Sequence, residues 1–487
     1  MIAPTPPSLL LLDLPDEILI TILGFLDLAG LRHAVQVCKH FNGLAEPFLY
    51  HTIHVLNGLQ AAALSASLQA NPRRATWIRS LLVSTKFGED EGLSLLPPHM
   101  AQMRNLQILR LETPDCNAKF PEERVAWVSL QDRYERIFES ASAVVPKSAD
   151  RVLPNLRECT LHFVDGQKEM YSMTRYPMLF LHPNLRSLTI SCASTDFPDR
   201  LLTPFQGDHT LVKSTNLEHL HLEECDIFSP SLGILLSFPR ALKSLKISEG
   251  IRYDGIFSAR SSRLHGNVSP QPFVDALSEH CTNTLEHLSL ALGYMRQGFE
   301  NITYPGCFLN LTAFHAMKQL DLDVRTGNLV RLRTNCDHGT WRRLPPNLET
   351  FKIFGIPFGE RPPFHARRRV WLPFETCLVR DKARHGVPKL KNLICSYEYY
   401  REDDEELPLS ISDDGDSVYD ISQVVVAQQR MTDRCNELAP LFKRHGVRLE
   451  IEVVVLPNGF IPPYLFTEDR PKPFTLWQSA PPTTPLC

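Results

Sequence analysis

Paired cysteines are missing from this chain. Its twelve cysteines are scattered so that the closest two, Cys377 and Cys395, stand 18 positions apart, and no Cys-x-x-Cys occurs. Structural zinc and redox centres bring thiols together at short spacings, so neither is expected. Isolated cysteines in apolar stretches, such as Cys159 and Cys192, read as small core residues in a reducing compartment, the cytoplasm or nucleus. No apolar run approaches the length that crosses a bilayer, and no membrane association is expected. Leu9–Leu12 is too short for a signal-peptide core, has no basic residue before it and leads into Asp13 and Asp16, so the sequon Asn301-Ile302-Thr303 carries little weight. A charge excess is missing too. Lys plus Arg total 51 against 55 Asp plus Glu, a net −4, which argues against a nucleic-acid partner. There is no Gly-rich phosphate loop, no His-Glu-x-x-His and no Gly-x-Ser-x-Gly, so neither intrinsic catalysis nor a cofactor is expected.

What is present is the composition of an ordinary globular chain, 43% hydrophobic and 22% charged over 487 residues, enough for two or three domains or one repeat array. The 38 prolines favour turns and interrupted elements over long helices.

The stretch "LPDEILITILGFLDL" (14–28) crowds Ile18, Leu19, Ile20, Ile22, Leu23, Phe25 and Leu26 together. Pro15 suits a first helical turn, and Asp16 and Glu17 suit the positive end of the helix dipole. On a helical wheel the seven apolar residues sweep roughly 220°, whereas a helix resting on its own core needs a stripe of about 100°. Leu28, Leu31, Val35 and Cys38 continue at near-helical spacing, Val37, Phe41 and Leu44 extend a second apolar face, and Phe48, Leu49 and Tyr50 come after Pro47 as an anchoring end. So short a module does not normally stabilise itself alone. The excess arc therefore packs either on the larger domain C-terminal to it or on a second protein.

These residues resemble an F-box, the three-helix motif that docks on the Skp-family adaptor of cullin-based (SCF) ubiquitin ligases. The match includes Leu14-Pro15, Glu17-Ile18-Leu19, Ile22-Leu23, Leu26, Leu28, Leu31, Val37-Cys38 and Phe41, the last standing where many members carry tryptophan. The resemblance implies an adaptor interface formed by Leu14, Pro15, Ile18, Leu19, Ile22, Leu23, Leu26, Leu31, Val37 and Cys38.

Beyond Tyr50, "LNGLQAAALSASLQANP" (56–72) reads as a helix. A hexad, apolar-x-x-apolar-x-apolar, then recurs at 78, 106, 156, 185, 217, 242, 285, 317, 348 and, most weakly, 390. Pro154-Asn155, Pro183-Asn184, Asn216, Pro346-Asn347 and Pro388 introduce several copies, and such breakers turn the chain into an extended segment. Breaker plus hexad is the pattern of a leucine-rich repeat, one parallel strand per copy. From the second copy on, starts lie 25 to 50 residues apart, more than the roughly 20–29 of regular repeats, so helices or loops are expected on the outer side. Leu130, Tyr134, Ile137, Phe138 and Ala141 mark one helix, and "PFVDALSEHCTN" (272–283) another. Ile421, Val424, Val425, Met431, Cys435, Leu438 and Phe442 mark a third, stopped by Gly446. "VRLEIEVVV" (447–455) alternates like a closing strand.

The expected fold is α/β: an N-terminal three-helix F-box followed by an irregular leucine-rich-repeat horseshoe with parallel strands and outer helices or loops. Its parts are a flexible 1–12, the F-box at 13–52, a helical linker at 53–76, the repeats at 77–456 and a Pro-rich tail at 457–487, which Phe460, Tyr464, Phe466 and Trp477 could pin. The plan resembles many fungal F-box proteins, in which the repeats select a protein for ubiquitin attachment while other subunits perform the transfer.

Side-chain alternation puts the residues flanking the inner apolar positions on the concave face. There Arg110, Thr160, Thr189, His219, His221, Lys246, Ser289, Asp321 and Lys352 are candidates for holding a protein substrate, although solvated strand residues read the same way. His219, His221 and His287 are too widely spread for one metal ion, roughly 9–10 Å across two strands. "REDDEELPLSISDDGDSVYD" (401–420), with Ser412 as a possible phosphorylation site, and "HARRRVW" (365–371) read as charged loops. The leading expectation is a substrate-recognition subunit joined through the Skp adaptor to cullin. The alternatives are a scaffold that binds the adaptor or another protein without ubiquitin transfer, and a hydrolase whose groups meet only in the fold.

Overall fold

The computed structural model describes residues 11–85, 92–113, 133–134, 136–142, 152–163, 171–172, 177–195, 210–225, 229–249, 271–291, 310–323, 344–357, 387–401, 421–457 and 471–479. The chain divides into two units, one of residues 1–162 with 182–185, the other of 163–181 with 186–487. Leu130, Ser412, Asn301, Phe460, Tyr464 and Phe466 lie outside the described residues, as do 365–371 and 402–420.

The first unit begins with α1 (Asp16–Leu23), α2 (Leu28–Val37) and α3 (Lys39–His51). The first helix is shorter than the apolar run suggests. Gly24 N–H still reaches the Ile20 carbonyl at 2.9 Å, but Phe25 and Leu26 reach back only three residues, to Ile22 and Leu23, which tightens and ends the helix. Asp27 then caps α2, its carboxylate accepting the Gly30 N–H at 2.7 Å. Cys38 is extended (φ −162°, ψ 170°), so Val37 and Phe41 sit on different helices and do not form the single face their spacing suggested. Helix α3 runs through Pro47 to His51 and carries Phe48, Leu49 and Tyr50 on its last turns.

Helix α3 passes directly into β1 (Thr52–Val55). β1 is followed by α4 (Gly58–Ala70), β2 (Ser80–Ser84), β3 (Ile108–Thr113) and β4 (Glu158–Phe163). β1 pairs in parallel with β2 from Thr52↔Ser80 to Val55↔Val83. The sheet therefore starts at the end of the expected F-box and runs into the segment expected to be a helical linker.

In the second unit β6 (Ser187–Ser191), β8 (His219–Cys225), β9 (Ser244–Glu249), β10 (His287–Ala291), β11 (Gln319–Asp323), β12 (Thr350–Pro357), β13 (Asn392–Arg401) and β14 (Arg448–Pro457) pair in parallel, each with the next. A separate short pair is made by β5 (Tyr171–Ser172) and β7 (Ala193–Ser194). β8 and β9 are connected through a helix at Ser229–Ser237, β9 and β10 through one at Gln271–Ala276 that widens into a π turn at Leu277–Cys281, and β13 and β14 through Ile421–Arg444. The last helix ends where expected. Gly446 (φ +64°) takes the left-handed conformation, the Val447 N–H bonds the Phe442 carbonyl and the Gly446 N–H that of Lys443, the paired closure of a Schellman end. Part of the Pro-rich tail is a strand: β15 (Phe474–Gln478) pairs antiparallel with β14, and Trp477 Nε1 donates to Asn436 Oδ1 at 3.1 Å.

Every hexad forms a strand, and each of these ten strands starts at the third residue of its hexad. Its three apolar residues are no more than 2% exposed in any copy, the weak one at 390 included. The breaker asparagines have a structural task. Asn155, Asn184 and Asn347, and with them Asn105 at the same place before its hexad, each donate from Nδ2 to a backbone carbonyl of the preceding repeat, those of Arg104, Pro154, His315 and Thr76, at 2.6–2.9 Å. The carbonyl at the second hexad position accepts two amides from the next copy, as Lys243 does from Glu286 and His287.

Candidate functional site

Two surfaces carry the sequence candidates. The first lies on α1–α3. Leu19, Leu23, Leu31, Ala34, Phe41 and Ala45 make a common core, against which Leu14, Val35, Cys38, Leu44, Phe48 and Leu49 pack. His40 Nε2 meets Asp16 Oδ1 at 3.0 Å, linking α1 to α3, and Asn42 Nδ2 donates to the Val35 carbonyl, linking α2 to α3. The candidate set therefore splits. Leu19, Leu23 and Leu31 are buried beneath the surface, Leu14 and Cys38 are half-buried, and Pro15, Ile18, Ile22, Leu26 and Val37 are open to solvent. Val37 is 67% exposed and Phe25, in the turn after α1, is 85% exposed. Ile20 and Leu28 are exposed as well. A monomer has no reason to leave so many large apolar groups together in water. Phe25, Ile20 and Leu28 share this exposure although they lie outside the set that the resemblance assigned. Ile20 and Phe25 belong to the wide apolar arc of the sequence, and Leu28 opens the pattern that follows it.

Arg74, in the turn after α4, fastens that helix to α3. It donates from Nε to Glu46 Oε1 at 2.8 Å and also from Nη2 to that oxygen, while its Nη1 reaches Ser67 Oγ at 3.0 Å. The guanidinium lies 5.3 Å from the centre of the Tyr50 ring, and the Tyr50 hydroxyl bonds Ser67 Oγ.

The other candidates lie on the polar face of the strands, in each unit separately. In the first unit Arg110 on β3 lies 3.9 Å from Glu112, and Thr160 is half-buried on β4. In the second unit the register aligns Thr189, His221, Lys246, Ser289, Asp321 and Lys352 in one row across β6 to β12, with His219 in the row beside it. Much of this row is already paired. His221 Nε2 meets Glu223 at 2.7 Å and His287 Nε2 meets Asp321 at 2.8 Å. Lys352 bonds Glu452 on β14.

Ser244 Oγ lies 3.4 Å from His287 Nδ1, so Ser244, His287 and Asp321 form a chain on three adjacent strands. Its geometry is poor for nucleophilic catalysis. The serine contact is long, and Asp321 is further held by Gln319 Nε2 at 3.1 and 3.2 Å. The three strands form an in-register parallel ladder, which engages the amides that would have to stabilise an oxyanion. Among the described residues no group of three or more His, Cys, Asp and Glu could hold a metal ion.

Along the strand entrances runs an alternation of charge at the second hexad position: Arg186, Glu218, Lys243, Glu286, Lys318, Glu349 and Lys391. Lys243–Glu218, Lys318–Glu286 and Lys391–Glu349 are ion pairs of 2.8–2.9 Å. Hydrogen bonds from the lysines hold the three carboxyls below their ordinary range, and the Glu286 bond raises Lys318.

Residues 11–55 match the F-box-like family, so the chain carries an F-box-like domain, a protein-binding adaptor module. The matched span takes in α1–α3 and closes on the last residue of β1. No curated protein matches the chain. Among the described residues no helix is long and apolar enough to cross a membrane.

Proposed function

We propose that the chain is the substrate-recognition subunit of an SCF-type ubiquitin ligase, acting in the cytoplasm or nucleus. Its F-box-like domain docks on a Skp-family adaptor and through it on cullin, and the sheet, read as an irregular leucine-rich-repeat array, holds a protein target. The observation that carries this reading is the exposed apolar surface of α1–α3. Ile18, Ile22, Leu26 and Val37, with Leu14, Pro15 and Cys38, contact the adaptor, and Phe25 joins them. Leu19, Leu23 and Leu31 hold that surface in shape from beneath. The chain performs no chemistry. Holding a target lysine beside the charged ubiquitin carrier raises their effective concentration, and that proximity is its contribution.

The experiment is co-purification from cell lysate with the intact chain and with Ile18→Ser/Phe25→Ser/Val37→Ser, substitutions confined to exposed positions so that the fold survives. Adaptor and cullin recovered with the intact chain and lost with the variant support the ligase reading. Adaptor without cullin turns it into a scaffold. Recovery of neither with a well-folded chain removes the adaptor reading altogether.

A further inference from the structure

We propose that the polar face around Lys246 is a recognition site for the carboxylate of an acidic, extended peptide segment, which names the target chemistry of the face and rests on the reading that this face binds a protein. The second unit's sheet spends its cations differently along its length. Lys243, Lys318, Lys352 and Lys391 each hold a carboxylate. Lys246, half-buried at the centre of β9, holds none, and among the described residues its ammonium makes no hydrogen bond or ion pair. It lies in register with His221 on β8 and Ser289 on β10, and Thr189 is in register with His221 one strand further on. Thr189 and Ser289 likewise offer hydroxyls that bond nothing among the described residues.

A cation with a free hydroxyl donor on the next strand and a second two strands away in the same row, on backbone fixed by parallel pairing on both sides, is complementary to an anion. The ligand is a carboxylate rather than a phosphate because a dianion calls for a second fixed cation, and the nearest imidazole, His221, is already engaged by Glu223 at 2.7 Å. Among the described residues the donors run in a row across successive strands, a layout that suits a segment of chain rather than a small acid.

The test uses the full chain on an immobilised library of short peptides that includes phosphoserine-containing members. It compares the unsubstituted chain, Lys246→Met, which keeps the aliphatic stem, and Lys318→Met as a control on the charge ladder, each with unfolding checked. The expected result is retention of peptides enriched in Asp and Glu. Lys246→Met should lose that enrichment and bind the best peptide about tenfold more weakly, while Lys318→Met changes nothing. Acidic enrichment persisting in Lys246→Met, dependence on phosphoserine, or no retained peptide would each overturn the proposal. Adaptor capture measured on the same samples separates the two readings. Capture intact without acidic enrichment removes this site alone, and capture lost with Lys246-dependent peptide binding intact removes the ligase role alone.

Discussion

Replacing Phe25 by Ser separates a docking surface from a core. Phe25 is 85% exposed while Leu23, two residues earlier on the same segment, is 1% exposed. Truncating an exposed side chain away from caps and networks changes folding stability by no more than about 0.5 kcal/mol. Burying most of a phenylalanine against a partner is worth roughly 1.5–2.5 kcal/mol, so Phe25→Ser should weaken adaptor binding by about 10- to 70-fold and leave the unfolding transition where it was. Leu23→Ala should do the reverse, costing roughly 2–5 kcal/mol of stability through the cavity it leaves and affecting the adaptor only through loss of folded chain. The assays are titration of purified adaptor and denaturant unfolding on the same preparations. If Phe25→Ser destabilises as much as Leu23→Ala, or adaptor affinity does not change, the surface is not a docking face and the reasoning fails.

Arg74→Ala should cost about 1–3 kcal/mol, because it leaves the largely buried Glu46 carboxylate without its partner; Arg74→Lys should recover only part of this in denaturant unfolding, since an ammonium cannot reproduce the guanidinium's spread of bonds. The strand-entrance carboxyls Glu218, Glu286 and Glu349 are held low in the folded chain, so their contribution is present above the ordinary carboxylate range and disappears as pH falls through their lowered values. Stability measured against pH should show a small gap between the native sequence and the triple Glu→Gln variant at neutral pH that closes in acid and shrinks in high salt. Gly446→Ala meets no atom within 4 Å but must hold φ near +64°, so its cost, about 1–2 kcal/mol in thermal unfolding, should come from backbone strain alone.

The hexads were legible because a strand's side chains alternate: a residue such as Leu245 or Phe351 can be assigned to the buried side from spacing alone, and the Asn-containing breakers marked where strands begin. The F-box-like segment was legible as an ordered set of residue types. Which of its apolar residues face inward was not, since a helical wheel assumes one continuous helix. The i→i+3 bonds of Phe25 and Leu26 and the extended Cys38 redirect the side chains at both ends of α2. β1 and β15 were missed because their pairing depends on neighbours distant in the chain, Ser80–Val83 for one and Glu450–Val453 for the other. The polar face shows the same division. Alternation alone determined which residues it carries, Lys246 and Asp321 among them. Only the tertiary structure decided which are spent on each other, His287 with Asp321 and Lys352 with Glu452, and which, like Lys246, remain open, because a charge's partner is set by strand neighbours that sequence order does not reveal.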